Sequence, residues 1–414
     1  SKKIIILTNS KKVQSLIKHN FSNKNLKISF NTLKIQGKNY RKIVISSIFQ
    51  IIIYLFIKLF YKKKIPFQKK LVLINTYPTN NLKKVERHFQ FSDNFLNSNK
   101  KRILFTPTIL ITKNLIKVFK TINFLSKKNY FFKESIIPIK DLFFAISYPI
   151  RIRKFRVKYK KFNRFDLSDF IFKEISNFKY FNATMLGLIN YKFVENLYLK
   201  KFKIKKAICW LENHEQRGWN YAFRKYFKST ETFGYQGFTN LPQLMNTVPT
   251  KFEEKFKVIP EKIIVSGKAY IEPRKEFNKS LKVSVGPSFV YQNVHKKFIK
   301  RSKIRYLVIL TEFLDINLNL IKWLEYAINK NPLLIFNIKK PKILKMDVFL
   351  NKLNIKDNLI FCDGNLDQIF KDTINVITSG PTGSTIEALG YNCKLLLPII
   401  DSYDSIYLKK INAP

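Results

Sequence analysis

Ile374-Asn375-Val376-Ile377-Thr378-Ser379-Gly380-Pro381-Thr382-Gly383-Ser384-Thr385-Ile386-Glu387-Ala388-Leu389-Gly390 is the stretch whose reading decides the fold. The apolar run from Ile374 to Ile377 predicts a buried strand, and Ile386, Ala388 and Leu389 begin a helical pattern. A strand, a turn of small residues and a helix start together expose backbone N–H groups at the positive end of a helix dipole, which suits a phosphate. Ser384 and Thr385 add hydroxyl donors, Glu387 is expected in the first helical turn, and Gly390 with Asn392 marks a helix stop. An ordinary Gly-rich strand-to-helix turn without a ligand reads equally well from this segment.

Working back from it, the same alternation of strand and helix recurs. Tyr306 to Leu310 reads as a strand, Ile316 to Ile328 as a helix, Leu333 to Ile338 and Leu359 to Cys362 as strands, and Leu366 to Phe370 as a short helix. In the other half, Lys3 to Thr8, Leu71 to Thr76, Lys101 to Phe105, Lys206 to Leu211, Thr232 to Gln236 and Lys262 to Val265 are strand-like. Val13 to Ile17, Ile109 to Leu125 and Trp219 to Phe227 are helical. This order predicts an α/β protein of two Rossmann-like domains facing a cleft: an N-terminal domain over residues 1–268, a linker over 269–282 and a C-terminal domain over 283–414.

The strand ending at Leu211 runs into Glu212-Asn213-His214-Glu215-Gln216-Arg217-Gly218. Ligands of open α/β sheets bind beyond the carboxyl ends of strands, so Glu212, His214 and Glu215 stand where proton-transfer groups belong, with Asp141, after Pro138, in reserve. Glu215 as a helix cap and His214 as a surface residue are the competing readings.

The chain has 414 residues, and 77 Lys+Arg against 27 Asp+Glu give a formal net charge of +50. Such a balance favours nucleic acid, anionic membrane or a phosphorylated ligand. The basic residues are scattered, however, and no helix-turn-helix, zinc-finger or RNP-like pattern accompanies them, so no specific nucleic-acid partner is expected. The densest basic and aromatic run, RIRKFRVKYKKFNRF from Arg151, could meet phosphates or lipid head groups, or be a solvated helix face. Cys209, Cys362 and Cys393 are far apart and lack metal spacing, which fits a reducing compartment and no metal site.

Ile43 to Phe60 is the most apolar segment. It supports three readings: a helix lying in a membrane interface, a helix buried in the N-terminal domain, or a transmembrane span. No signal-peptide pattern opens the chain.

Four pieces of the C-terminal half resemble the nucleotide-binding half of GT-B glycosyltransferases, in particular bacterial surface-carbohydrate (capsule and O-antigen) enzymes related to Kdo and sialic acid transferases. They are Val308 to Glu312, Ile338-Lys339-Lys340-Pro341, Phe361-Cys362-Asp363-Gly364 and Ser379 to Gly390. Many such enzymes carry a His-Pro pair where this chain has Lys340-Pro341. Glu212-Asn213-His214-Glu215 followed by Gly234-Tyr235-Gln236 is also similar to an ENQ-like strand end before a GYQ-like strand.

The resemblance implies a metal-independent transferase without a cofactor, taking a CMP- or UDP-type nucleotide-sugar as donor. The donor phosphate would meet Gly380, Thr382, Gly383, Ser384, Thr385 and Lys340, with Glu387 and Glu312 as further contacts. Glu312 could bind base or ribose, or cap the following helix. A glycan or lipid-linked acceptor would lie on the N-terminal half, with Glu212 as first choice for the base. The setting implied is the cytoplasmic face of the inner membrane, in peripheral contact with anionic lipid. A GT-B enzyme often finishes on a helix crossing back to its first domain, and the pattern expected at Asp401 to Pro414 is short. A sugar-nucleotide epimerase or a non-catalytic member of the same architecture is the alternative, and a basic nucleic-acid binder a more distant one.

Overall fold

The structure is a computed structural model, and it describes residues 40–61, 70–78, 89, 98–99, 102–109, 114–152, 154–155, 161–162, 165–175, 178–237, 247–289, 303–311, 314–340, 356–378 and 383–398. The strand and helix expected at Lys3 to Ile17, the site residues Gly380, Thr382 and Glu312, Pro341, and the segment Asp401 to Pro414 lie outside the described residues.

Two parallel sheets organise the chain, as expected of an α/β protein. The first unit runs α1 (Tyr40–Phe60), β1 (Leu71–Thr76), β2 (Ile103–Pro107), α2 (Leu115–Ser126), α3 (Ile139–Ile146), α4 (Tyr148–Ile152), the short pair β3 (Lys161–Phe162) and β4 (Phe165–Asp166), and α5 (Ser168–Ile175). It continues with α6 (Phe181–Leu199), β5 (Ile204–Trp210), α7 (Gln216–Tyr226), β6 (Glu231–Gln236), α8 (Lys251–Lys255), β7 (Lys262–Val265), α9 (Ile271–Arg274) and β8 (Lys282–Val285). Its six-stranded sheet has the order β2-β1-β5-β6-β7-β8, with every pairing parallel. β1 and β2 read as near-continuous apolar runs because helices cover both faces of a parallel sheet.

The second unit comprises β9 (Ile304–Ile309), α10 (Leu314–Lys330), β10 (Phe336–Lys339), β11 (Leu359–Phe361), α11 (Leu366–Asp372), β12 (Thr373–Thr378), α12 (Gly383–Gly390) and β13 (Lys394–Leu396). Its five strands are ordered β11-β10-β9-β12-β13, again all parallel. Leu320, Ile321, Leu324 and Ile328 pack α10 on one face of this sheet, while Phe370 and Ala388 bring α11 and α12 to the other.

Residues 269–282, expected as a linker, are packed within the first unit. Their Pro, Lys and Asn content imitates a connector, yet Tyr270, Ile271 and Leu281 pack with Ile259, Ile263 and Val265, and β8 pairs with β7 as the sixth strand. Arg274 is fully buried there, donating to the Thr247 carbonyl at 2.6 Å and its hydroxyl at 2.9 Å.

α1 is divided between two environments. Ser46, Gln50, Ile53, Tyr54, Ile57 and, just beyond it, Tyr61 are buried. The Gln50 amide donates to Glu134 at 3.3 Å, the Tyr54 hydroxyl to the Ile137 carbonyl at 3.0 Å, the Lys58 ammonium to the Ser135 carbonyl at 2.9 Å, and the Tyr61 hydroxyl to the Tyr130 carbonyl. The opposite face exposes Val44, Ile45, Ile48, Leu55, Leu59 and Phe60. The helix is long and apolar enough to cross a membrane, with a mean hydropathy of 2.3 over Ile43–Phe60. One face is nevertheless stitched to the segment 130–137.

Candidate functional site

Both sheets reverse their winding once, so that the chain leaves two neighbouring strands in opposite directions. In the first sheet the reversal lies between β1 and β5, and in the second between β9 and β12. Crevices at such switch points are where open α/β sheets take their ligands. The first opens beside Asn75, Thr76 and Tyr77 and beside the segment 211–215; the second opens beside Thr311 and Thr378, the end of β12.

At the second switch point, α12 starts at Gly383, so Ser384 and Thr385 stand in its first turn and their backbone N–H groups have no intrahelical partner. The Thr385 Oγ is shielded from solvent and has no hydrogen-bond partner among the described residues. Glu387 lies one turn further in and is not part of the first turn, contrary to expectation, because the helix begins at Gly383 itself. The helix stops at Gly390, and Asn392 takes the left-handed conformation at φ 51°, as the sequence suggested. After β9, buried Asn317 fixes the strand end by accepting from the Thr311 N–H at 2.8 Å and donating to its carbonyl at 2.9 Å.

After β10, the two lysines differ. Lys339 donates to the Gly364 carbonyl at 2.7 Å, tying the ends of β10 and β11 together, whereas the Lys340 ammonium lies 4.5 Å from the Phe361 ring centroid.

The first switch point holds a buried polar network. Asn75, at the end of β1, donates to Gln216 at 3.0 Å and accepts from the Thr108 hydroxyl at 3.0 Å and the Lys133 ammonium at 3.2 Å. Lys133 also donates to Thr108, and Gln216 to the Tyr77 hydroxyl. These groups come from β1, the loop after β2, the 3-10 turn Lys133–Ser135 and the first residue of α7. Burial lowers the Lys133 pKa and raises that of its neighbour Glu134, so the amine and the carboxyl group are both pushed toward their neutral forms. Burial, then the nearby Glu215 carboxylate, raises the Tyr77 pKa well above its ordinary value.

The network holds the loop that carries the expected proton-transfer residues. Glu215 occupies the position before α7 without making a side-chain cap, so its carboxylate is not spent on the helix end. Glu212 accepts from the Trp210 indole at 2.9 Å. His214 is exposed, as the surface reading expected, and partial desolvation followed by the Arg217 guanidinium lowers its pKa, which favours a neutral imidazole at pH 7. Asp141 is placed apart, on α3, where it accepts from Asn196 at 2.7 Å and pairs with Lys192 at 3.4 Å.

His214 and Arg217 also line a cavity of about 880 Å³ whose other walls come from α3, α6 and α7. Arg217 pairs with Glu253 at 2.9 Å, and its guanidinium also reaches the Leu211 carbonyl at 3.3 Å. Neither Lys133, Asn75 nor Gln216 was singled out from sequence. The only signal available was a strand end in Asn-Thr-Tyr facing a Gln four residues after a carboxylate.

No protein-family model matches the sequence, and no curated protein matches it. Among solved structures, the chain is similar to a mutant of TarM from S. aureus in complex with fondaparinux, α-GlcNAc-glycerol and UDP, at 16% identity and a TM-score of 0.36. That match covers 55% of this chain and 52% of TarM, so the chain spans about half of that protein's length. It is similar to the glycosyltransferase SsfS6 of Streptomyces sp. SF2575 at 10% identity and a TM-score of 0.36, covering 83% of this chain and 86% of the other. It is also similar to a UDP-N-acetylglucosamine 2-epimerase from Rickettsia bellii at 11% identity and a TM-score of 0.41, covering 79% and 78%. Scores this low transfer no chemistry from these proteins, and the chain's own geometry has to carry its function.

Proposed function

We propose that the chain is a glycosyltransferase of the GT-B kind, moving a sugar from a nucleotide-sugar to a glycan or lipid-linked acceptor. The observation that carries the reading is the pair of switch points with complementary chemistry. One offers the backbone amides at the start of α12 and the Thr385 hydroxyl; the other offers carboxylates and a neutral imidazole. A donor phosphate at the start of α12 would have its growing negative charge met by the helix terminus and the Thr385 hydroxyl as the sugar departs. A neutral His214 beside a cavity is suited to take the proton of the attacking acceptor hydroxyl, with Glu212 and Glu215 as the neighbouring carboxylates.

The same reading places the enzyme at the cytoplasmic face of an anionic membrane, in surface-polysaccharide assembly. Its support is the exposed apolar face of α1 together with the net charge of +50.

The test is thermal unfolding against UDP, CMP, GDP and ADP and their sugar conjugates. A nucleotide at a hundred times its Kd raises stability by about 2.7 kcal/mol, and the responding base names the donor. The rise should be lost in Thr385→Val and Ser384→Ala. No response to any nucleotide, together with salt-sensitive binding to DNA or RNA, overturns the reading. Turnover of the sugar nucleotide without acceptor redirects it to the epimerase class.

A further inference from the structure

The cavity between α6 and α7 is lined mainly by aromatic and aliphatic groups. Phe144, Tyr180, Tyr191 and Tyr221 present rings to it, Ala183 and Leu188 fill the spaces between them, and no Asp, Glu, Asn or Gln side chain lines it among the described residues. Thr184, His214 and Arg217 are polar groups of the lining, and each buried hydroxyl of a ligand left without a partner costs about 1–3 kcal/mol. The Tyr191 hydroxyl is turned to Tyr226, at 2.7 Å.

Cations stand against the rings of the cavity: the Arg151 guanidinium lies 3.8 Å from the Phe144 ring centroid, and the Lys192 and Lys225 ammonium groups lie 4.8 Å and 5.6 Å from those of Phe144 and Tyr191. The Arg217 charge is met by Glu253 at 2.9 Å, and the pKa of His214 is lowered. An anionic head group would meet Arg151 and Lys225 at the rings, while the lining itself is mostly apolar. Apolar surface continues from the cavity on α3, where Phe144 is followed outward by exposed Phe143 and Ile139. At about 880 Å³ the space lies near the top of the range for small-molecule sites.

We infer that this cavity takes a long aliphatic chain, the apolar tail of an amphiphilic acceptor, and leaves its head group at His214. This rests on the glycosyl-transfer reading and adds the substrate class: the acceptor is lipid-linked rather than a free sugar. Apolar contact supplies the affinity, at roughly 25 cal/mol per Å² of chain removed from water.

Calorimetric titration of the whole chain with dodecyl phosphate and dodecyl maltoside, both below their micelle concentrations, tests the inference, with maltose and inorganic phosphate as chain-free probes. Both amphiphiles should bind saturably and the chain-free probes should not. Ala183→Phe, which fills the cavity, and Leu188→Asp, which charges it, should each weaken binding at least tenfold. Ile48→Ser with Leu59→Ser, on the exposed face of α1, should leave it unchanged. Equal affinity in the cavity variants, or loss in the α1 variant alone, overturns the inference, since the chain would then lie on α1. Binding of maltose alone overturns it as well. The nucleotide response is read separately, so amphiphile binding without it counts against the transferase, and the reverse against the tail site.

Discussion

The carbonyl oxygen of Gly187 on α6 lies 1.9 Å from the point where a Cβ on Gly218 of α7 would stand. The helices touch backbone to backbone there, and residues of both helices line the cavity around this crossing. The contact is one-sided. A Cβ on Gly187 would meet nothing nearer than the Glu215 Cα at 3.5 Å, an ordinary packing distance.

Gly218→Ala should therefore force the helices apart and lower stability by about 1–3 kcal/mol, the range for overpacked sites. Gly187→Ala should hold or raise stability, because alanine is favoured over glycine by up to about 1 kcal/mol in a helix interior. Chemical denaturation of the two variants checks the asymmetry; equal losses would show that the helices do not meet in this way.

Gln216→Leu removes the acceptor of Asn75 and the donor to Tyr77 in a buried setting, and a cost of about 1–3 kcal/mol is expected. Lys133→Met should behave differently, since the amine is already costly to keep charged and Thr108 still donates to Asn75. With its folded pKa below the unfolded value near about 10.4, Lys133 binds a proton more readily in the unfolded chain. Stability should thus rise with pH between the lowered value and about 10.4, and Lys133→Met should flatten that rise, as read by melting temperature across the interval.

For His214 the pKa is also lowered in the fold, so the unfolded chain takes up the proton first on acidification. Stability from this group is present above its unfolded value of about 6.5 and is lost as pH falls toward the folded value. His214→Gln should reduce the acid sensitivity of unfolding in that window. The same variant should abolish the lower limb of an activity profile if the imidazole takes the acceptor proton.

Ile48→Asp with Leu59→Asp places two carboxylates on side chains that are 51% and 67% exposed. The expected outcome is loss of sedimentation with phosphatidylglycerol vesicles and stability kept within about 0.5 kcal/mol, as for surface substitutions generally. Binding by the unaltered chain should fall with salt and be weaker on phosphatidylcholine. Sedimentation of the variant equal to that of the unaltered chain would remove α1 from the membrane contact.

Strands were legible because parallel strands buried on both faces are continuous apolar runs: β9 and β12 stand within the runs opened at Tyr306 and Ile374, and β10 within the run expected from Leu333, though it starts only at Phe336. The stop at Asn392 was legible from a residue type that tolerates positive φ. Lys133 and Glu134 were not, since a charged pair after two phenylalanines looks like a turn at the surface. Their burial is decided by Asn75, 58 residues earlier, and Gln50, 84 residues earlier. The membership of β8 in the first sheet was hidden for a similar reason: only its neighbour β7 distinguishes Lys-Val-Ser-Val from a connector.

The stitched face of α1 sets an order on the birth of the protein. Its hydrogen-bond partners follow it in sequence by 69 to 84 residues. At about 5–20 residues per second of translation, the helix waits roughly 4–17 seconds before the segment that covers it has been made. For that interval its buried face has only the neighbouring β1 to pack on and none of these hydrogen-bond partners, so whatever receives the nascent chain, bilayer or chaperone, meets α1 before the segment that stitches it down exists.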